Sequence, residues 1–258
     1  MSEPARAATF NRDAQPRWDR GAAGYDARRI RSRGRWLLAL ERRMYFERLP
    51  APAPGRRLRV LDAGCGTGEL AARLAARADV VAVDLSAASL AVLRERRAPL
   101  LAVQGDLTRL GVRPGSVDAV VSNIVLSHLP DDLLRPALDE MHAALRPGGR
   151  LVFTVFNWDG LRRFRSFPTA RGRFPSGVYY RAWTLPELRT FMASTPFVDV
   201  RIGGLGMAYA ACQPMRGLHG LYHRFGWVAM PAEYLLQLRL GLLPRRGAYL
   251  VVDAKRAA

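Results

Sequence analysis

The chain is poor in cysteine and lysine and has no long apolar run. Its 258 residues include two cysteines, Cys65 and Cys212, which cannot build a disulfide framework. A chain of this length can instead bury a sizeable hydrophobic core. The longest uncharged stretch, around residues 203–215, is too short to cross a bilayer. Because no apolar signal segment follows the charged first twenty residues, we expect a cytoplasmic protein.

Histidine is also scarce, which limits the possible metal sites. His219 and His223 are one helical turn apart, a spacing that can suit a metal ion. No carboxylate or cysteine nearby completes a ligand set, so we expect aromatic packing there and no metal. His142 falls in the middle of a predicted helix, and we expect it to be structural.

Acidic residues are few beside basic ones: 22 against 40, with a net charge of +18. Only Lys255 is lysine, and this skew in an alanine-rich chain is typical of a GC-rich coding bias, which explains part of the charge. The functional alternative is an acidic partner, such as an anionic substrate, an anionic membrane surface or RNA. Arginines crowd a predicted helix over residues 28–48. Five more, between residues 162 and 173, alternate with phenylalanines, a composition that can hold an anionic, partly apolar substrate or single-stranded nucleic acid.

The chain does have a glycine-rich loop between a predicted strand and a predicted helix. An apolar run ends at Asp62, and Gly64, Gly66 and Gly68 follow. Glycines allow a tight turn and a close approach of the backbone to a ligand, and the helix behind them presents free N–H groups. The spacing Gly-x-Gly-x-Gly differs from the Gly-x-Gly-x-x-Gly of dinucleotide-binding folds, so the surroundings must identify the ligand.

Acids close the next strands of the same predicted sheet. Asp84 ends a strand over residues 79–84, where a carboxylate can accept both hydroxyl groups of a ribose. Asp106 follows the strand over residues 100–104, where an adenine amine can be met. Ligands of such sheets bind outside the carboxyl ends of the strands, so these acids are expected to share one site.

Residues 58–156 alternate strand and helix, as a doubly wound sheet requires. A fourth strand, residues 117–122, leads to Asn123 and His128. A helix over residues 131–145 stops at the Arg-Pro-Gly-Gly sequence before a fifth strand over residues 150–156.

At this point the chain resembles the class I S-adenosylmethionine-dependent methyltransferases, in the broad group with quinone-biosynthesis and natural-product enzymes. The resemblance covers roughly residues 16–202, and its five motifs occur in order and at family spacing, in residues 60–68, 83–85, 105–106, 122–128 and 145–149. It implies an α/β fold with a doubly wound, seven-stranded, mostly parallel, Rossmann-like sheet. N-terminal helices and a C-terminal helical insertion before a last antiparallel strand are implied as well.

The resemblance also implies S-adenosylmethionine as the cofactor. Asp84 would hold the ribose, Asp106 the adenine, and Gly64 and Gly66 the methionine portion. Tyr25 either closes over the methionine end or simply packs. The expected cofactor-binding residues are Tyr25, Asp62, Gly64, Cys65, Gly66, Asp84, Leu85, Asp106, Leu107 and Asn123.

Two further residues have alternative interpretations. Arg35 either reaches the cofactor carboxylate or faces solvent, and solvent is the better expectation. Cys65 matches a common loop residue of the family, and a small buried filler is the better interpretation than a redox group.

Three segments are expected along the chain. They are an N-terminal helical cap over residues 1–50, a cofactor-binding core over 55–156, and a substrate-side half over 157–258 with a helical insertion at 203–246. We expect residues 1–15 to be loosely attached and residues 17–49 to be helical.

Local patterns define the last segment further. Thr184 and Glu187 predict a capping box at a helix start. Residues 197–202 predict strand six, and residues 247–253 the last strand. The apolar insertion is expected to form much of the substrate pocket.

His128 is the one candidate catalytic residue. Methyl transfer from a sulfonium needs mainly alignment of the reacting groups, and a base helps only where the nucleophile carries a proton of high pKa. His128 follows strand four near the expected methyl position, where it either deprotonates or orients an acceptor, or caps the loop before the next helix.

The sequence therefore predicts methyl transfer, without a metal, to oxygen, carbon or nitrogen of a small molecule in a biosynthetic pathway. The acceptor is expected to be anionic or lipophilic. The alternatives are a tRNA-modifying methyltransferase, a cofactor-binding partner protein without catalysis, and peripheral membrane association through the basic N-terminal helix. Strand four ends in Ser-Asn-Ile-Val, unlike the Asn-Pro-Pro-Tyr sequence used on base or amide nitrogen, which counts against those acceptors.

Overall fold

The computed structural model describes residues 2–212 and 216–258. Apolar, largely β-branched segments form the strands, since such side chains pack well on a pleated, buried surface. The strands are β1 Leu58–Ala63, β2 Ala78–Asp84, β3 Leu101–Gln104, β4 Val117–Asn123, β5 Leu145–Asn157, β6 Arg171–Arg173, β7 Tyr179–Trp183, β8 Phe197–Leu205 and β9 Tyr249–Arg256.

Helices connect these strands and precede them. They are α1 Glu3–Ala22, α2 Tyr25–Arg48, α3 Glu69–Leu74, α4 Ala87–Glu95, α5 Asp131–Ala144, α6 Trp158–Leu161, α7 Leu185–Ala193, α8 Met207–Cys212, α9 Arg216–Phe225 and α10 Met230–Glu233. A π-helix, Tyr234–Arg239, follows α10. None of the helices in the described part of the chain has the length and apolar character needed to cross a membrane.

The main sheet has the order β3-β2-β1-β4-β5-β9-β8. The first five strands are parallel, whereas β9 runs antiparallel between β5 and β8. The predicted seven-stranded, mostly parallel sheet is confirmed. A short hairpin of β6 and β7 is added at the end of β5, where Phe156 pairs with Ala182. Sequence reasoning missed it because β6 is only three residues long and contains two arginines.

Each face of the sheet is covered by an apolar layer. On one face, α2 and α3 bury residues such as Met44 and Leu74 against the strands. On the other, α5 and α7 bury Met141 and Leu188. The hydroxyl of the fully buried Tyr45 in α2 donates to the carbonyl of Ser122 at 3.0 Å, which fixes α2 across the sheet.

The N-terminal segment differs from expectation. Residues 1–15 are not loosely attached over the part described, because α1 begins at Glu3 and buries Ala7 and Ala14. Its contacts are made by small alanines, which give little hydrophobic signal in a polar sequence. The predicted continuous helix is also broken, at Gly24 with φ +68°, and α2 is kinked at Gly34 with φ +80°.

The C-terminal half follows its local signals more closely. The Thr184 side chain accepts from the Glu187 amide, and the Glu187 carboxylate accepts from the Thr184 amide at 2.9 Å, so the capping box is confirmed. The strand predicted at 197–202 is β8, the eighth in chain order because of the extra hairpin. The insertion between β8 and β9 is helical in its described part, and residues 213–215 lie outside it.

Candidate functional site

The turn after β1 is built for a close backbone approach. Gly64 has φ +80°, and a Cβ there would lie 2.4 Å from Cγ2 of Val125, so no side chain fits. Gly66 also has positive φ, but a Cβ there would meet no atom within 4 Å. The Gly64 and Cys65 amides both donate to the carbonyl of Val83, which joins this turn to β2. The loop is therefore rigid on the side of the sheet and open on the side of Gly66.

Asp84, the last residue of β2, faces this open side. Its carboxylate accepts hydrogen bonds from the amides of Gly66 at 2.7 Å and Ser86 at 2.9 Å. Burial raises the pKa of Asp84, and these two amides oppose that shift. Two oxygens with remaining lone pairs are thus fixed at the carboxyl end of the strand.

Asp62 near the end of β1 is fully buried and incompletely satisfied. Its Oδ2 has no hydrogen-bond partner. Burial, together with the neighbouring charge of Asp84, raises the pKa of Asp62 to about 7. Such a carboxyl group gains from any cation or donor placed next to it, since both favour the ionised form.

Asp106 and Asn123 complete the edge of the sheet. The two carboxylate oxygens of Asp106 accept from the amide and hydroxyl of Thr108, both at 2.8 Å. The side-chain oxygen of Asn123 accepts from the Thr154 hydroxyl at 2.9 Å. Each side chain is therefore held in one orientation by its neighbour.

Two carboxylates attach the N-terminal helices over this edge. Asp19 of α1 accepts from the Ser86 hydroxyl at 2.6 Å. Asp26 of α2 accepts from the Thr67 hydroxyl at 2.7 Å and is paired with Arg96. We call α1 and the first part of α2, residues 3–33, the N-terminal cover. It converts the open edge of the sheet into a cavity.

The cavity has an empty volume of about 1170 Å³. Its wall includes every predicted cofactor residue, namely Tyr25, Asp62, Gly64, Cys65, Gly66, Asp84, Leu85, Asp106, Leu107 and Asn123, and also His128. The cover contributes Trp18, Tyr25, Arg29 and Arg33 among others. The residues singled out in the sequence are thus brought together, while their ligand contacts stay a prediction.

Arg29 and Arg33 are functional candidates that sequence reasoning missed. Both side chains are nearly buried and share one carboxylate, Glu41, at 2.6 Å and 3.9 Å. Two guanidinium groups against one carboxylate leave a net positive charge in this cluster of three side chains, beside the acids Asp62 and Asp84 in the same wall. Arg35, considered earlier for this role, is exposed, as expected. The helical spacing of residues 29 and 33 was the available signal, hidden by the many arginines around it.

His128 lies at the end of the 3₁₀ turn after β4. Its Nδ1 is 2.8 Å from the carbonyl of Tyr179, which can only accept, so Nδ1 carries the proton and Nε2 is an acceptor. Burial lowers the pKa of His128 to about 4, and the charge of Arg33 adds to the shift. The ring packs edge-on against Trp18, with centroids 4.8 Å apart. His128 is therefore a neutral, oriented imidazole at neutral pH.

Two expectations about other groups can be compared with the structure. Burial, with the charges of Asp62 and Asp84, raises the pKa of the Cys65 thiol far above its usual range, so it is a poor nucleophile. The described residues of 203–246 do not line the cavity around Asp84, and the expectation that this insertion forms much of the substrate pocket stays a prediction. The helices of the insertion pack instead on α2 and β8.

Within the described residues, no group of three or more His, Cys, Asp or Glu side chains is placed to hold a metal ion. Of the pair His219 and His223, the side chain of His219 lies outside what the structure describes.

The fold and the cavity define an α/β protein that binds its ligand at the carboxyl edge of a parallel sheet. A family model described as a methyltransferase domain matches residues 60–149. The chain is 32% identical over 240 residues to the ubiquinone/menaquinone biosynthesis C-methyltransferase of Syntrophotalea carbinolica, covering 80% of this chain and 96% of that one. It therefore belongs to the class I S-adenosylmethionine-dependent methyltransferases.

Other relatives share a smaller part of the chain. A malonyl-[acyl-carrier protein] O-methyltransferase of Enterobacter lignolyticus is 39% identical over 119 residues, which are 45% of this chain and 47% of the relative. The chain thus spans about half the length of several curated relatives that it matches. The crystal structure of 1,6-didemethyltoxoflavin-N1-methyltransferase from Burkholderia thailandensis has the same fold, with a TM-score of 0.58 and 21% identity. The structural match covers all of this chain and 92% of the Burkholderia chain.

Proposed function

We propose that the cavity binds S-adenosylmethionine and that the protein transfers the cofactor's methyl group to a small acidic acceptor. The observation that carries the proposal is the convergence of the turn after β1, Asp84, Asp106 and Asn123 on one covered cavity. Membership of the methyltransferase family supports the same conclusion.

The residues present suit this cofactor. Asp84 would hold the two ribose hydroxyls and Asp106 the adenine, each with lone pairs left after its own hydrogen bonds. The open side of Gly66 leaves room for the methionine portion. Asp62, whose buried Oδ2 lacks a partner, would receive the ammonium group, and the surplus charge of Arg29 the carboxylate.

When bound, the cofactor supplies a methyl group on a sulfonium, which is already activated toward a nucleophile. The task of the chain is then to align the acceptor and keep water out, since orientation alone can contribute several kcal/mol. The cover does both, because Trp18 and Tyr25 lie in the cavity wall.

Arg33 and His128 support an acceptor with an acidic hydroxyl or carboxylate. Arg33 lies close enough to lower the pKa of His128, so both face one region of the cavity. Arg33 would hold the negative charge of the acceptor, while the neutral Nε2 of His128 would accept a hydrogen bond from its hydroxyl. With its pKa near 4, His128 orients a proton better than it removes one.

The tRNA alternative receives less support. Base stacking needs exposed aromatic rings, but Phe164 and Phe167 are buried and Phe174 stacks on Tyr180 at 4.6 Å. Arg171 from the same cluster is paired with Asp131. The phenylalanines that alternate with arginines therefore lie in the apolar core or pack against it.

The test measures cofactor binding first and transfer second. Calorimetry with S-adenosylmethionine should give micromolar affinity, roughly the −8 kcal/mol typical of such a constant. Arg33→Gln should then weaken acceptor binding with little change in cofactor affinity, and Arg35→Gln, an exposed neighbour, should change neither. Absence of cofactor binding by the unmodified protein would contradict the proposal. Binding without transfer to any acidic acceptor would leave a cofactor-binding partner protein.

A further inference from the structure

Exposed apolar side chains are concentrated in one part of the molecule. Of the thirteen large apolar side chains that are exposed among the described residues, nine lie between residues 218 and 243. Trp227 is 53% exposed and Val228 61%. A concentration of exposed apolar side chains in one segment is a feature of interaction surfaces. We call residues 218–243 the C-terminal apolar surface.

Helix α9 has an exposed apolar stripe, and other residues of the helix attach it to α2. Leu218, Leu221 and Phe225 follow the i, i+3, i+7 spacing, so they form a stripe along one face, and all three are exposed. Other residues of α9 attach it to the core: Trp36 of α2 donates to the carbonyl of His223 at 3.2 Å, and Tyr222, at the edge of the stripe, is buried. The exposed stripe is therefore held outward by specific contacts.

The exposed charges within the segment itself have one sign, although Glu47 of α2 accepts from the Tyr234 hydroxyl at its edge. Arg224, Arg239, Arg245 and Arg246 are exposed. Glu233, the one acid between residues 216 and 246, is buried and accepts from the amides of Gly206, Met207 and Ala208. The exposed charges of this segment are consequently all positive.

A basic groove adjoins the surface and extends its charge. Arg245 and Arg246 line it together with Arg162 and Arg163, which follow α6, against a single acid, Asp159. Apolar side chains flanked by arginines are the composition of segments that lie in the headgroup region of an anionic bilayer.

We propose that the C-terminal apolar surface docks the protein on an anionic lipid bilayer. Its leucines, Phe225 and Trp227 would enter the boundary between headgroups and acyl chains, where tryptophan is favoured, and the arginines would contact lipid phosphates. A second copy of this chain is a worse occupant, because its arginines would face the arginines of the first copy. A bilayer also matches an irregular run of short helices without needing shape complementarity.

The position of the surface relates it to the cavity. Tyr222 and His223 of α9 pack at the kink of α2, where a Cβ on Gly34 would lie 3.0 Å from the Tyr222 ring. Arg33, immediately before that kink, lines the cavity. A docked protein would thus hold its cover next to the membrane. The docking itself does not depend on the proposed methyl transfer.

The test is sedimentation of the full chain with vesicles of phosphatidylcholine alone and of phosphatidylcholine mixed with phosphatidylglycerol. Binding should require phosphatidylglycerol and fall as salt rises. The triple substitution Leu221→Ser, Trp227→Ser and Val228→Ser should reduce binding at least about tenfold. The matched control is Leu101→Ser with Val103→Ser, which removes two exposed apolar side chains from β3.

A second variant tests the charges. Arg224→Gln with Arg239→Gln should weaken binding to the anionic vesicles about thirtyfold, at roughly 1 kcal/mol for each arginine. Arg113→Gln should not, as Arg113 is exposed in the loop between β3 and β4, away from α9. Thermal denaturation and cofactor affinity, which should stay unchanged, show that each variant is folded.

Three results would overturn the proposal. The first is that the unmodified protein fails to bind anionic vesicles. The second is that the triple variant binds them as well as the control does. The third is concentration-dependent self-association that the triple variant abolishes without any vesicle binding, which would assign the surface to a second copy.

Discussion

The amide of Gly66 donates to Oδ2 of Asp84 at 2.7 Å, across the gap between the first turn and the end of β2. This bond joins two features that a cofactor would touch separately, the loop that approaches it and the acid that we propose binds its ribose. A substitution at either residue therefore removes or distorts a hydrogen bond of the other.

Asp84→Ala should abolish cofactor binding. The substitution removes the carboxylate for the ribose and leaves the Gly66 amide without its acceptor, and two charge-assisted hydrogen bonds correspond to roughly a hundredfold in affinity. Calorimetry measures it. Asp79→Ala is the control, since Asp79 lies at the other end of β2 and pairs with exposed Arg57. Equal affinities for the two variants would contradict the assignment of Asp84.

Cofactor affinity should rise with pH through about 7, the pKa of Asp62. A bound ammonium group favours the ionised carboxyl group, so below this pH binding must release a proton from Asp62. The affinity therefore falls by up to about tenfold for each pH unit below the pKa. Asp62→Asn should flatten the profile. An unchanged pH dependence in Asp62→Asn would exclude this residue as its source.

The same carboxyl group should affect stability in the opposite direction. A raised pKa means that the folded protein binds the proton more tightly, so the ligand-free protein loses stability as pH rises through about 7. Without ligand, Asp62→Asn should therefore melt at a higher temperature than the unmodified protein above that pH. Scanning calorimetry at pH values on either side of the pKa checks the sign.

Gly64→Ala should destabilise the fold more than Gly66→Ala. Both positions have positive φ, which costs roughly 1–2 kcal/mol for alanine. At Gly64 the new Cβ would also overlap Val125, adding roughly 1–3 kcal/mol of overpacking. Chemical denaturation measures both. Gly66→Ala should instead lower the affinity for the cofactor, because the new Cβ would extend toward the cavity. Similar losses of stability in the two variants would argue against the tight contact at Gly64.

His128 should remain neutral from about pH 8 down to about pH 5, given its pKa near 4. Long-range nitrogen–proton NMR should show a protonated Nδ1 and an unprotonated Nε2 throughout this range. His128→Gln should lower the transfer rate without altering its pH profile, while His142→Gln on α5 serves as the control. A rate that follows a histidine titration near its ordinary pKa, and loses this in His128→Gln, would instead assign a proton-removing role.

The sequence predicted the parallel sheet, the glycine turn and the acids at its edge because each depends on local rules. Strand periodicity defines the sheet, and topology brings the ends of its strands together, so Asp84 and Asp106 meet without any contact having to be known. The Thr184 capping box is equally local, since it needs only residues three apart.

The position of the cover and the packing of the insertion could not be predicted from local sequence rules. Helix α1 attaches through Ala7 and through Asp19, whose partner Ser86 is 67 residues away, a pairing with no local signature. Arg29 and Arg33 lie before the kink of α2 at Gly34 and the exposed Arg35 lies after it, a difference that a run of arginines does not reveal. The insertion has the apolar composition of a pocket lining. One side of it packs on β8 and α2, however, and many of its remaining apolar side chains are exposed to solvent.

The cover precedes the whole sheet along the chain, and this order determines what opening the cavity requires. No strand of the sheet lies within residues 3–33, and the cover continues into the core only through the rest of α2, beyond the kink at Gly34. Swinging it away would break the contacts of Asp19 and Asp26 while every strand pairing stays intact. Ligand exchange can then proceed on an unchanged sheet, at the cost of a few side-chain hydrogen bonds and of the apolar contacts of Ala7 and Trp18.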